Sequence, residues 1–258
     1  MFSKFFKRKK EESEEQLDGA LPLNGADWSF LGTDIHSHFI PGIDDGAQTV
    51  EDSLTLIRSM IDMGFKNIVT SPHVFIDYYP NTTTSIQNGL QVLQDALKEN
   101  NIDIKVKAAA EYYVDEYFSD LIDKEPLLTV HDNKVLIEFS MLFEPVMMND
   151  VIFKMQGAGY RPILAHPERY LFFHKDLDKY RELKDRGCLL QLNLLSTTGY
   201  YGKGVKEATD KLLAQGMYDY CGTDMHHERH AVAMRGLLHS KLYPALANYP
   251  FLNSKITF

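Results

Sequence analysis

Hydrophobic positions along this chain fall into short dense runs that alternate with longer periodic stretches. The runs span residues 32–37, 67–71, 104–110, 134–140, 161–166, 188–193 and 218–223, and each predicts a strand. Several are almost continuously apolar, as in Val135-Leu136-Ile137 and Ile163-Leu164-Ala165. Strands covered on both faces look like this, as in parallel sheets. Between the runs, apolar residues recur at helical spacing. Thr49 suits the N-cap of a helix carrying Val50, Leu54, Ile57 and Ile61, and Gly64 stands at its C-terminal stop. Comparable stretches cover about 84–99, 147–158, 176–186, 204–216 and 229–240. Seven strands alternating with helices predict an α/β fold of βα units on a parallel sheet. The length from residue 29 to 258 suits closure into a single TIM-like barrel domain. An open doubly wound sheet would want a Gly-rich phosphate loop after its first strand, and the sequence has none there.

Residues 1–28 break this pattern. A basic cluster, Lys7 to Lys10, precedes an acidic one, Glu11, Glu12, Glu14 and Glu15, with Gly and Pro residues before Trp28. A flexible charged tail is expected. It is either a solvated extension or a membrane-surface foot, with Phe2, Phe5 and Phe6 inserting beside anionic lipid. No stretch approaches the roughly 18 apolar residues of a spanning helix, and the early charges do not fit a secretory signal. A cytoplasmic protein is expected, peripheral to the inner membrane face only where the tail serves as such a foot.

Charge and cysteine usage narrow the chemistry. The chain of 258 residues has 27 Lys and Arg against 36 Asp and Glu, a formal charge of −9. That balance disfavours nucleic acid as a partner. Two cysteines are too few for a disulfide scaffold and fit a reducing compartment. A Cys-x5-Arg phosphatase loop would need Arg at position 194 or 227, where Leu194 and His227 stand. The thiol route to phosphate ester hydrolysis is thereby excluded.

The histidines and acids point elsewhere. His36 and His38 alternate at the end of the first strand and so share a face. Asp44-Asp45-Gly46 follows in the next loop, either aspartate being a turn residue or a ligand. His73 closes the second strand, Glu111 follows the third, Glu138 lies within the fourth, and His166 ends the fifth. The seventh leads into Asp224-Met225-His226-His227. Six of seven strands thus deliver a His, Asp or Glu near the carboxyl end, the functional face of a parallel barrel. Glu138, between Ile137 and Phe139, must face inward or be paired, and an unpaired buried carboxylate costs several kcal/mol. Imidazole and carboxylate without thiolate favour Zn, Mn or Fe. So many donors suit two or three ions, with a carboxylate such as Glu111 bridging. His131, His174 and His239 read as surface residues, while His227 and His230 stay ambiguous.

The strings DIHSHFIPGIDDG, SPH, AEYY, LIEFS, AHPERY and TDMH resemble the PHP (polymerase and histidinol phosphatase) superfamily. More closely, they look like its bacterial tyrosine-protein phosphatases of capsule and exopolysaccharide operons. The resemblance runs from about residue 32 to the C-terminus. It implies a distorted (β/α)7 barrel with a three-metal site. In that pattern His36, His38 and Asp224 hold one ion, and Glu111 bridges to a second completed by Glu138 and His166. Asp45, His73 and His226 hold the third. Two or three divalent ions are implied, manganese first, with iron or zinc as alternatives. The resemblance also implies catalytic arginines at Arg169 and Arg229, although the segment around Arg229 is shorter than in the relatives. The activity implied is hydrolysis of phosphotyrosine by a metal-activated hydroxide, with a bacterial tyrosine kinase as the phosphorylated protein partner. The alternative is a phosphatase for histidinol phosphate or another small phosphomonoester. A nuclease is disfavoured by charge, and an inactive scaffold by the completeness of the donor set.

Overall fold

The structure, a computed structural model, describes residues 25–258. The expected tail therefore falls mostly outside the described residues. Its last two positions are packed: Trp28 is fully buried and donates its backbone N–H to Met63, and Asp27 bonds the Tyr243 hydroxyl.

Nine short strands alternate with helices. They are β1 (Thr33–Asp34), β2 (Asn67–Thr70), β3 (His73–Val74), β4 (Lys105–Ala108), β5 (Glu111–Tyr113), β6 (Lys134–Glu138), β7 (Arg161–Ala165), β8 (Leu189–Asn193) and β9 (Tyr220–Gly222). The helices are α1 (Val50–Asp62), α2 (Thr83–Glu99), α3 (Glu116–Lys124), α4 (Met148–Gly157), α5 (Asp178–Asp185), α6 (Lys203–Ala214), α7 (Glu228–Leu238) and α8 (Tyr243–Ala247). Thr49 caps α1 in a reciprocal box with Asp52, and Gly64 follows its end at φ 96°. Helix α3, capped by Asp115 and burying Phe118, Leu121 and Ile122, adds an element to those predicted.

Among the described residues all pairings between these strands are parallel. They make one sheet in the order β1-β2-β4 and another in the order β3-β5-β6-β7-β8-β9. The two sheets are continuous through the chain. Thr70 faces Ala108 and His73 faces Glu111, so the register is the same on both sides of Ser71-Pro72 and Ala109-Ala110. Pro72 has no N–H to give the ladder, which accounts for the gap. Counting each interrupted strand once gives the seven strands predicted. At the other end, Ser37 bridges Met225 in parallel and Asp224 donates its N–H to the His36 carbonyl, so the pairing path returns to its start. A small inner cluster takes Ile35, Val69, Ala109, Leu136, Ile163 and Leu189 from successive strands. A larger cluster packs the helices onto the outer faces. Among the described residues no helix is long and apolar enough to cross a membrane.

Side chains seal the seam between β1 and β9, where ladder bonds are few. Asn253 is fully buried, donates to the Thr33 and Cys221 carbonyls at 3.0 and 2.8 Å, and accepts from the Cys221 N–H at 3.0 Å. Asp34 accepts from the N–H and hydroxyl of Thr223, both at 2.9 Å. Replacing Asn253 by Ala would strand three buried backbone groups. A loss of about 3 kcal/mol is expected, read as a lower urea midpoint. A change below about 1 kcal/mol would show that the seam does not depend on Asn253.

Candidate metal centre

The strand ends deliver their polar side chains to one rim. His36 and His38 follow β1 and are fully buried, and Asp44 and Asp45 lie in the turn beyond. That turn folds so tightly onto the strand that a Cβ at Gly46 would overlap the His38 backbone. His73 opens β3, Glu111 opens β5 and Glu138 ends β6. His166, at φ 33°, and Asp224, at φ 50°, are held in left-handed backbone at the ends of β7 and β9. Such strain persists only where surrounding structure enforces it, and it clusters at functional sites.

The histidine tautomers follow from their partners. Gln191 gives its amide N–H to the Leu192 carbonyl, so its oxygen accepts from His36 Nδ1 at 2.8 Å. His38 Nδ1 donates to Asp44 at 2.8 Å, and His226 Nδ1 to the Asp224 carbonyl at 2.8 Å. Each commitment leaves Nε2 facing inward. His36 Nε2 lies 3.2 Å from both Glu111 Oε2 and Asp224 Oδ1, and His38 Nε2 lies 3.4 Å from the same Asp224 oxygen. Both of these Nε2 atoms, with Glu111 Oε2 and His166 Nδ1, are buried without a hydrogen-bond partner. The His36 and His38 nitrogens, drawn up to shared carboxylate oxygens in a buried volume, form a cage that protons or cations can occupy.

Four overlapping donor groups lie within ion-binding span. They are His36–His38–Asp224, His36–Glu111–His166, His73–Glu111–Glu138, and His38–Asp45–His73–His226. All nine expected ligands are therefore brought together, with Glu111 shared between two groups. His73 faces Glu138 at 3.0 Å as well as Asp45 at 3.4 Å, so it sits between two of the expected ion positions. Asp45 is the aspartate that reaches the rim, while Asp44 orients His38 and accepts from the His73 N–H.

Arg169 joins this group and Arg229 does not. Arg169 Nη1 donates to Asp224 Oδ2 at 2.8 Å, and its guanidinium lies 4.4 Å from the Tyr201 ring centre. Arg229 is exposed on the first turn of α7 and does not line the cavity; its charge acts instead on His227. The segment after His226 leads straight into the helix, whose first turn leaves Arg229 exposed. His227 caps that helix, and His230, in its first turn, is buried and lines the cavity. His131, His174 and His239, expected at the surface, are half-buried, the first two bonded to Tyr220 and to the Glu168 carbonyl.

The sixth predicted strand, the one without a His, Asp or Glu, supplies two amides. Gln191 orients His36, and Asn193 donates to Asp224 Oδ2 at 2.9 Å. Their alternation in Gln191-Leu192-Asn193 places them on one face, a signal the search for charged donors passes over. The rim opens into a cavity of about 430 Å³ whose mouth carries Phe75, Tyr78, Tyr79, Met141 and Tyr201.

Burial alone would lower the His36 and His38 pKa values. At His36 it is outweighed by Glu111 and Asp224, and at His38 by Asp44, so each is raised to about 9. Asp224 and Glu111 are desolvated too, yet the surrounding imidazoles hold both well below the ordinary carboxylate range.

A sequence profile described as capsular polysaccharide synthesis, CpsB/CapC, matches residues 32–235. The tyrosine-protein phosphatase YwqE of Bacillus subtilis (strain 168) is 27% identical over 195 residues, covering 75% of this chain and 77% of the relative. The tyrosine-protein phosphatase CpsB of Streptococcus pneumoniae is 27% identical over 200 residues, covering 75% and 82% respectively. Crystal structures of YwqE and CpsB, described as unique metal-dependent tyrosine phosphatases, share the fold. The match has a TM-score of 0.72 at 24% identity and covers 88% of this chain and 96% of the other.

Two linked pH dependences follow. A histidine whose folded pKa is raised contributes stability that is complete below its unfolded value, about 6.5, and is lost as pH rises through the folded value. With His36 and His38 raised to about 9, the urea midpoint of EDTA-treated protein is expected to fall as pH rises to 9. With saturating Mn²⁺ the sign reverses, because protons displace cations as pH falls. A midpoint insensitive to both pH and Mn²⁺ would contradict this picture of the rim.

Proposed function

This chain belongs to the CpsB/CapC family of capsular polysaccharide synthesis, and on that premise we propose that it is a metal-dependent phosphatase acting on tyrosine-phosphorylated protein. The observation that carries the proposal is the set of inward imidazole nitrogens, unpartnered and aimed at buried carboxylate oxygens. Relatives named tyrosine-protein phosphatases support the substrate class. In this reading His36, His38, Asp45, His73, Glu111, Glu138, His166, Asp224 and His226 hold two or three divalent ions. Manganese is the first choice, and iron or zinc fit the same donors. Bound there, the ions supply Lewis acidity to a phosphoryl oxygen and to the attacking water.

The protein's own groups do the positioning. Asp224 turns Oδ1 toward His36 and His38 while Oδ2 accepts from Arg169 and Asn193. Arg169 is thus held with further N–H donors facing the cavity, where phosphoryl oxygens gather charge. The Tyr201 ring packs against the guanidinium, and its hydroxyl accepts from Asn193 at 3.2 Å, which limits where Arg169 can swing. Phe75 and Tyr78 at the mouth offer aromatic faces to a phenyl ring. His227 lines the cavity, but burial and the charge of Arg229 push its pKa below the ordinary value. It stands neutral near pH 7 and is a poor acid. A tyrosinate leaving group, with a phenol pKa of about 10, has little need of one.

The family's setting supports a bacterial tyrosine kinase of capsule or exopolysaccharide synthesis as the phosphoprotein. Two free buried thiols are consistent with action in the reducing cytoplasm.

With Mn²⁺ present, phosphotyrosine peptides are expected to be turned over in preference to histidinol phosphate; the reverse preference would sink the substrate assignment. Arg169→Ala should lower kcat/KM for the peptide about 100- to 1,000-fold. Tyr201→Leu should raise KM about 10-fold, and Tyr201→Phe, which keeps the ring, should recover most of it. Equal values for Leu and Phe would remove Tyr201 from the positioning of Arg169.

A further inference from the structure

A second groove, of about 460 Å³, lies beside the catalytic cavity. It runs between the loop after β5 and the loop joining β6 to α4. Tyr113, Val114, Phe143, Pro145, Val146 and Met147 make its apolar surface. Two observations tie it to the cavity. Tyr113 forms one wall and stacks on Phe75 at 3.9 Å and 14°, and Phe75 lines the cavity itself. Ser140 lines the groove while its neighbour Met141 lines the cavity. A polypeptide whose phosphorylated side chain enters the cavity can therefore reach this groove with its flanking residues.

The groove carries an unusual surface. Phe143 is 73% exposed and Val146 wholly so, with Leu142 at 60% on the same loop. Exposed apolar side chains grouped on one loop at a cavity mouth mark an interaction surface. Its rim is acidic: Asp115, Glu116 and Glu144 line it, and no Lys or Arg does. The neighbouring ion pairs, Lys124 with Asp120 and Lys154 with Asp123, leave these three carboxylates out. Burial, and to a lesser degree the charge of Asp77, push the Asp115 pKa up. An apolar trough bordered by carboxylates that make no ion pair within 4 Å complements a segment that pairs an apolar side chain with a cation.

We propose that this groove binds the substrate polypeptide next to its phosphotyrosine, selecting an apolar residue adjacent to a lysine or arginine. The proposal rests on the phosphatase reading above and extends it from the phosphorylated side chain to its sequence context. Tyr113 and Phe75 form the partition: one face serves the phosphotyrosine ring, the other the flanking residue. The acidic rim also disfavours phosphopeptides whose flanks are acidic, through like-charge repulsion.

The test uses the full-length protein with Mn²⁺ and fluorescein-labelled peptides bearing a non-hydrolysable phosphonate analogue of phosphotyrosine. One peptide carries Leu-Lys on both flanks and the other Ser-Glu. By fluorescence anisotropy, the Leu-Lys peptide is expected to bind at least about 5-fold more tightly at low salt, with the difference shrinking as salt is raised. A Glu116→Lys/Glu144→Lys double variant should erase or invert the preference. Val146→Ser should weaken only the Leu-Lys peptide. Both variants should turn over free phosphotyrosine at the wild-type rate, which also shows that they fold. Equal affinity for the two peptides, absence of binding by both, or an unchanged preference in the double variant would each overturn the groove assignment. Failure of the wild type to hydrolyse free phosphotyrosine would instead overturn the phosphatase reading, while the binding preference still judges the groove.

Discussion

Asp224 divides its carboxylate between two tasks, and the arrangement of the rim depends on that division. One oxygen faces the imidazole nitrogens of His36 and His38, and the other is held by Arg169 and Asn193. The chain reaches this geometry only through left-handed backbone at Asp224, immediately after the residues that seal β9 to β1. Fold closure and site geometry are thus one constraint. Glu111 repeats the device from the opposite strand. Its Oε1 accepts from His166 and its Oε2 lies among the imidazoles of His36, His38 and His73. Two buried carboxylates, each shared between neighbours, bring the donor set into one volume.

Electrostatics explains why such a set folds at all. Buried carboxylates and imidazoles are each costly alone, and the cost is offset only by one another, by protons or by cations. Without cations the raised pKa values of His36 and His38 let protons take that role. With cations, the fixed Nδ1 partners Gln191, Asp44 and the Asp224 carbonyl already hold the rings in the tautomer that coordinates through Nε2. Little reorganisation is left for the moment of binding, which is what a preorganised catalytic centre requires.

Much of this was legible in the sequence, because strand ends in a parallel barrel translate order along the chain into position on a rim. The apolar runs located seven strands, and the polar residue at or near the end of six of them located the candidate donors, down to Glu138 after Leu136-Ile137. Four kinds of information were not legible. Asp44 and Asp45 are equivalent neighbours until the turn is built, and only then does one reach the rim and the other a histidine. Gln191 and Asn193 carry no charge and escape a search for metal donors, although they orient His36 and Asp224. The family resemblance implied Arg229 as a partner to Arg169, but helix α7 begins at Glu228 and leaves Arg229 exposed. The break at Pro72 was equally hidden, since register across a gap is a property of paired strands.

The central claim is that cations on this rim enable phosphotyrosine hydrolysis. Its most direct measurement is phosphate release from a phosphotyrosine peptide as Mn²⁺ is titrated into chelator-stripped protein. The expected result is no release at the start and a rise that saturates at about two or three equivalents of metal, as a multimetal site requires. Release that is undiminished in the stripped protein, or that never rises with any divalent cation, would contradict it.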